Sequence, residues 1–114
     1  MQYQITSKKD FRGTWSAKTY IPLADNRRLI INSWKDYNKR LVTMASVVVF
    51  KNEGAFTSES FEMFGDYNRK VRISTPKVVN EKRVREQQEA VLKEELDGII
   101  AEAKEFYQAK GIQV

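Results

Sequence analysis

The chain has 114 residues, a formal net charge of +5, 41% hydrophobic residues, and neither Cys nor His. This length and composition predict a single globular domain, residues 1–114, that buries one core. The absence of Cys and His excludes disulfides, thiolate chemistry, Ser-His-Asp and Cys-His catalysis, and zinc sites of the usual kind.

The first two-thirds of the chain, about residues 2–74, have the pattern of β-strands. Apolar and β-branched residues recur in QYQIT, TWSAKTYI, RLIINSW, LVTMASVVVF, AFTSESFEMF and KVRIS. Turn signals separate these segments in KKDFRG, PLADNR, KDYNK, KNEG and GDYN. Short loops between successive strands predict an antiparallel β-meander of five to six strands.

The last third has the period of a helix. Pro76 in TPKVVN ends the strand pattern. Asn80 is a suitable N-cap for a helix, and Gly111 is a suitable residue just beyond the last turn of that helix. An apolar stripe centred on Ile99 predicts one long helix, about residues 80–110, that covers one face of the sheet. The predicted fold class is therefore α+β.

The start of this helix, EKRVREQQEA, has few apolar residues. A helix of about 30 residues is about 45 Å long, so its first turns are expected to project, or the helix is expected to bend with Gly98 as its weakest point. A projecting polar helix could remain solvated, or it could be the contact of a homodimer or of a larger assembly.

Charge is distributed unevenly along the chain. Residues 1–80 contain 14 Lys and Arg against 7 Asp and Glu, a balance of +7, and residues 81–114 contain 6 against 8, a balance of −2. A basic first part suggests an acidic partner, most simply nucleic acid, although an ordinary solubilising surface is an alternative.

The phrase DYN followed by two basic residues occurs twice, at residues 36–40 and 66–70. Asp and Asn favour tight turns, so each copy predicts a hairpin, and turn chemistry alone could explain the repeat. In an up-and-down meander the turns after strands one, three and five share one end of the sheet. These turns should form a basic, aromatic rim in which Phe11, Tyr37 and Tyr67 are interleaved with cations. Its candidate binding residues are Lys8, Lys9, Arg12, Lys35, Tyr37, Lys39, Arg40, Tyr67, Arg69 and Lys70.

Such a rim could bind phosphates by charge and bases by stacking, or pair with carboxylates of an acidic protein surface. We therefore expect a non-enzymatic binding module that engages nucleic acid or a nucleoprotein complex. The alternative is a phage- or plasmid-type accessory inhibitor, of the anti-CRISPR or anti-restriction class, that binds and blocks a host defence protein.

No cofactor or metal is expected. The five glycines form no phosphate-binding loop, and Glu59 and Glu62 have opposite parity on a regular strand, so they do not form a carboxylate pair. The N-terminal MQYQITSKKDF has no signal-peptide pattern, and no apolar run reaches the roughly 18 residues of a membrane span. These features predict a cytoplasmic protein that does not enter a membrane.

Overall fold

The computed structural model describes residues 3–24, 26–61 and 68–112, with the backbone alone at 24, 50–53, 56, 58–61 and 68. It confirms the α+β class, because an antiparallel sheet packs against C-terminal helices. The strands are β1 Thr6–Lys9, β2 Trp15–Ala24, β3 Arg27–Lys35, β4 Leu41–Glu53, β5 Phe56–Phe61 and β6 Asn68–Ser74. The helices are α1 Glu81–Glu94 and α2 Leu96–Gln108.

Strand β4 organises the sheet because it is long enough to pair with three other strands. The order is β1-β2-β3-β4-β5, and β6 also pairs with β4. Strand β3 occupies one edge of β4, so β5 and β6 must lie end to end along the other edge. The register runs from Glu53 opposite Phe56 to Val48 opposite Phe61, and then from Ser46 opposite Asn68. Strand β6 is therefore a second segment beside β4 and does not extend the meander.

Strand β2 buries alternate residues, as the pleat of a sheet predicts, whereas the central strands bury residues on both faces, including Leu29, Ile30 and Ile31 of β3. On β2, Ala17, Thr19 and Ile21 are buried under the helices, whereas Lys18 and Tyr20 are exposed on the opposite face. We call this opposite face, which neither α1 nor α2 covers, the open face, and its central residues Ile30, Val42 and Val48 are nevertheless buried.

The helical face of the sheet carries two apolar clusters. The larger cluster consists of Ile21, Leu29, Ile31, Ala45, Val47, Val91, Leu96, Ile99, Ala103 and Tyr107. The smaller cluster consists of Ala17, Leu41, Val79 and Val84. Full burial of one large aliphatic side chain stabilises a fold by about 1.5–3 kcal/mol, so these clusters are the main attachment of the helices to the sheet.

A row of buried polar groups separates the two clusters. Gln88 accepts from Thr19 Oγ1 at 2.5 Å and donates from Nε2 to Ala17 O at 3.2 Å and to Ser33 Oγ at 3.0 Å. The neighbouring glutamine, Gln87, donates to Thr43 Oγ1 at 2.8 Å. The polar row continues across the sheet, since the Ser33 and Thr43 hydroxyls are 2.7 Å apart and Ser74 Oγ donates to Gln87 Oε1 at 3.1 Å.

The polar row corrects the expectation that the helix start projects from the body. Val84, Gln87 and Gln88 are all buried in α1. The same helix also contacts the first strand, because Ser7 Oγ donates to Glu81 Oε2 at 2.8 Å and accepts from Arg85 Nη1 at 3.0 Å. The two glutamines can be buried because the strands below supply their hydrogen-bond partners.

The single long helix is also corrected, since it is two helices with a bend at Glu95 and not at Gly98. Asn80 caps α1 as expected, accepting from the Arg83 N–H at 2.8 Å. Glu95 departs from helical geometry with φ −125° and ψ −9°. Val91 and Leu96 are five residues apart, about 140° around a straight helix, so the bend lets both of them face the same cluster. Within the described residues, neither helix is long and apolar enough to cross a lipid bilayer.

Candidate functional site

Two hairpin loops at the same end of the sheet have the same backbone geometry. In the β1–β2 loop, the Asp10 N–H donates to Thr14 O at 2.9 Å and the Gly13 N–H donates to Asp10 O at 3.1 Å. In the β3–β4 loop, residues 36–40 repeat this pair of bonds at 2.9 and 3.0 Å. The fourth residue of each loop is left-handed, with φ 84° at Gly13 and 62° at Lys39. Both loops thus have the pattern of a type I turn followed by a left-handed residue.

The aspartate that begins each loop holds the turn together. Asp10 Oδ1 accepts from the backbone N–H groups of Arg12 at 2.8 Å and Thr14 at 3.0 Å. Asp36 Oδ1 accepts from the corresponding groups of Asn38 and Arg40, both at 3.0 Å. These carboxylates are acceptors for their own loops, and this is the turn chemistry that the sequence predicts.

The second residue of each loop is an aromatic side chain in solvent. Phe11 is 92% exposed and Tyr37 is 93% exposed. The two loops are separated by two strand spacings, about 10 Å. Neither ring contributes to the core, so the fold itself does not require an aromatic residue at either position.

Basic residues lie in and beside these two loops. Arg12 lies with its guanidinium carbon 5.3 Å from the centroid of the Phe11 ring, and Lys9 Nζ is 5.9 Å from the centroid of the Trp15 ring. Lys9 and Lys35 belong to the last residue pairs before the loops, Lys9–Trp15 and Lys35–Leu41, so both lie at this end of the sheet. Lys39 and Arg40 lie in the second loop itself. We call this group the tip site, and its members are Lys9, Phe11, Arg12, Lys35, Tyr37, Lys39 and Arg40.

Three of the predicted rim residues lie elsewhere. Lys8 is on the open face of β1, next to the tip site. Arg69 and Lys70 lie in β6 opposite Ala45 and Met44, in the middle of the sheet, so their expected place at the rim is wrong. The reason is that β6 runs alongside β4 towards that end and reaches it only at Ser74.

Arg69 also has a partner within the chain. Its Nη1 donates to Glu102 Oε2 of α2 at 2.6 Å. Nearby on the same strand, Arg72 pairs with Glu94 of α1. These two arginines therefore attach β6 to the helices across the exposed edge of the core.

The repeated phrase does not form two like hairpins. Asp66 and Tyr67 lie outside the described residues, but Asn68, Arg69 and Lys70 are strand residues. The structural counterpart of DYNKR is DFRGT at residues 10–14, which shares the aspartate, the aromatic residue and the left-handed fourth position. Aligning turn positions and not identical letters would have shown this match from the sequence, which already places Phe11 in the predicted rim.

Comparison with protein-family models, with curated proteins and with solved structures finds no match for this chain. Among the described residues, no group of three or more Asp and Glu side chains is arranged to hold a metal ion. The tip site is therefore interpreted from its own geometry and charge.

Proposed function

We propose that this protein is a non-enzymatic module that binds single-stranded nucleic acid, free or within a nucleoprotein complex, through the tip site. The observation that carries the proposal is the pair of matched hairpins that hold Phe11 and Tyr37 in solvent among five cations. Large aromatic residues exposed at a functional end of a small domain are typical of binding surfaces.

The chemistry of the tip site suits a strand with unpaired bases. Lys and Arg attract the phosphates, and aromatic rings stack on base faces irrespective of sequence. In a duplex those base faces are covered by neighbouring bases, so two exposed rings have less to bind. Arg12, already over the Phe11 ring, can add a cation to the stack.

The test is a titration of the protein with single-stranded and double-stranded oligonucleotides at two salt concentrations. Phe11→Ala and Tyr37→Ala should each weaken single-strand binding by about 1–3 kcal/mol, which is about 5- to 150-fold. Tyr37→Phe should retain most of the affinity because it keeps the ring. Val78→Ala is the matched control, since Val78 is 71% exposed and lies outside the tip site.

Absence of binding by the parent protein at low salt would reject the proposal. Binding to a protein from a nuclease-treated bacterial lysate, lost in Phe11→Ala and Tyr37→Ala, would instead indicate a protein partner, as the alternative of an inhibitor that blocks a host defence protein requires. Equal affinities of the parent and of both aromatic variants for the single strand would show that the tip site is not the binding surface.

A further inference from the structure

The part of the open face formed by β1 and β2 has its own concentration of polar side chains. Ser7, Ala17 and Thr19 face the helices through the contacts described above. The alternation of the strands therefore places Thr6, Lys8, Ser16, Lys18 and Tyr20 on the open face.

Charge on the open face has one sign. Among strand residues with described side chains, this face carries four cations and no carboxylate, and the cations are Lys8, Lys18, Arg28 and Lys70. Lys8 and Lys18 are exposed and form no ion pair with a described residue. The helical side of the sheet differs, because Arg69 there is neutralised by a glutamate from a helix.

A pocket of about 370 Å³ opens between these two strands, and its lining residues are Thr6, Lys8, Ser16, Ala17, Lys18 and Tyr20. This volume is at the lower end of the range for small-molecule sites. Lys8 is opposite Ser16 and Thr6 is opposite Lys18, so the two lysines are diagonal neighbours, about 7–8 Å apart at the backbone.

The side chains of the pocket match the parts of a nucleotide. Two ammonium groups and the hydroxyls of Thr6 and Ser16 are donors that suit a phosphate. Tyr20 adds an aromatic ring of the kind on which bases stack. An apolar protein surface would leave these donors without acceptors, so a polyanion is the occupant that the charge favours.

We propose that this pocket, the open-face pocket, is a nucleotide subsite that continues the tip site along the same strand of nucleic acid. This inference rests on the proposed function. Phe11 is three residues from Lys8, so their Cα atoms are at most about 11 Å apart. One single strand of a few nucleotides can therefore contact both places.

The test compares two double variants that remove the same charge. Lys8→Gln with Lys18→Gln changes the open-face pocket, and Lys93→Gln with Lys104→Gln, both exposed on the helices, is the control. For an oligothymidine of about twelve nucleotides, the loss of two phosphate contacts should reduce the log–log salt slope by about 1.4. At 0.1 M salt this corresponds to about 25-fold weaker binding, and the control should change by less than about 3-fold.

A tryptophan gives a second, spectroscopic readout. The chain has two tryptophans, Trp15 and Trp34. Trp34 lies on the open face, one register step beyond the Ala17–Ser33 pair and therefore beside Ser16. In a Trp15→Phe background, oligothymidine that enters the pocket should change the emission of Trp34, and Lys8→Gln with Lys18→Gln should shift that change to higher ligand concentration.

The outcomes separate the two proposals. Equal binding by the pocket and control variants, with unchanged Trp34 emission on saturation, would overturn the open-face pocket while the tip site could still bind. Weaker binding in the pocket variant alone, together with full affinity in Phe11→Ala and Tyr37→Ala, would support the pocket and reject the tip site. Absence of any binding by the parent would reject both.

Discussion

Replacement of Gln88 by Ala should destabilise the protein more than any other single change in the polar row. Gln88 is fully buried, and its loss removes three hydrogen bonds, to Thr19, Ala17 and Ser33. Each partner left without its bond inside the fold costs about 1 kcal/mol, and the one lost methylene costs about 0.8 kcal/mol. We therefore expect the free energy of unfolding to fall by about 3–5 kcal/mol.

Gln87→Ala is the matched comparison on the adjacent residue. Its bond to Leu41 O is long, at 3.4 Å, and Ser74 is only partly buried, so water can replace part of what is lost. We expect a loss of about 1–3 kcal/mol. Urea denaturation followed by circular dichroism measures both variants, and the Gln88→Ala midpoint of thermal unfolding should fall by roughly 10–20 °C.

A compensating variant tests the physical reason. When both partners of a buried hydrogen bond become apolar, the change can be nearly neutral. Gln88→Leu combined with Thr19→Val and Ser33→Ala should therefore recover much of the stability that Gln88→Leu loses alone. The reasoning is refuted if Gln88→Ala unfolds within about 1 kcal/mol of the parent, or if the added substitutions bring no recovery.

Three further sets of substitutions test the core and the loops. Ile99→Ala removes a fully buried side chain from the larger cluster and should cost about 2–5 kcal/mol, and a melt like that of the parent would contradict its place there. Lys39→Gly should keep or raise stability because Lys39 is left-handed, whereas Gly13→Ala should cost about 1–2 kcal/mol in the matching position. In urea denaturation, a loss of stability in Lys39→Gly or no loss in Gly13→Ala would contradict the shared turn geometry. Asp36→Ala should lower the free energy of unfolding by about 1–3 kcal/mol, because two hydrogen bonds from backbone N–H groups to Asp36 Oδ1 are lost. Asp36→Asn should keep most of the stability because its amide oxygen can accept both bonds. Equal losses in the two variants would show that the charge of Asp36, and not its hydrogen bonds in the turn, stabilises the loop.

Local patterns were sufficient to predict much of the fold. Alternation on β2, the change of period near Asn80 and the buried position of Ile99 all follow from the sequence of their own segment. The shared end of the two hairpins also follows, because β1 to β4 are successive antiparallel neighbours. Each of these features depends on residues close in the chain or on a simple rule of sheets.

The position of β6 depends on strand lengths, which local patterns do not define well. Strand β4 has 13 residues and β5 has 6, so β5 leaves half of one edge of β4 unpaired. Strand β6 fills that place. A meander of equal strands would have placed Arg69 and Lys70 at the rim, and this assumption was the source of the error.

The polar row was missed for a different reason. Gln87 and Gln88 resemble solvent-exposed helix residues, since burial of an amide is favourable only when partners are present. Those partners lie far away in the chain. Thr43 is 44 residues from Gln87, and Ser33 and Thr19 are 55 and 69 residues from Gln88. Nothing in the helix sequence itself indicates that three strands supply matching hydroxyls.

The order of elements in the chain has a consequence for biosynthesis. The helices that cover the sheet are translated after it, and the 34 residues from 75 to 108 take roughly 2–7 s at about 5–20 residues per second. Hairpins form in about 1–10 μs, so the nascent sheet has time to assemble with Leu29, Ile31 and Val47 uncovered. Yield in the cell should therefore depend on the stability of the finished fold and also on those seconds. During them, chaperones can cover the apolar face, and infrequent contact with other nascent chains limits aggregation.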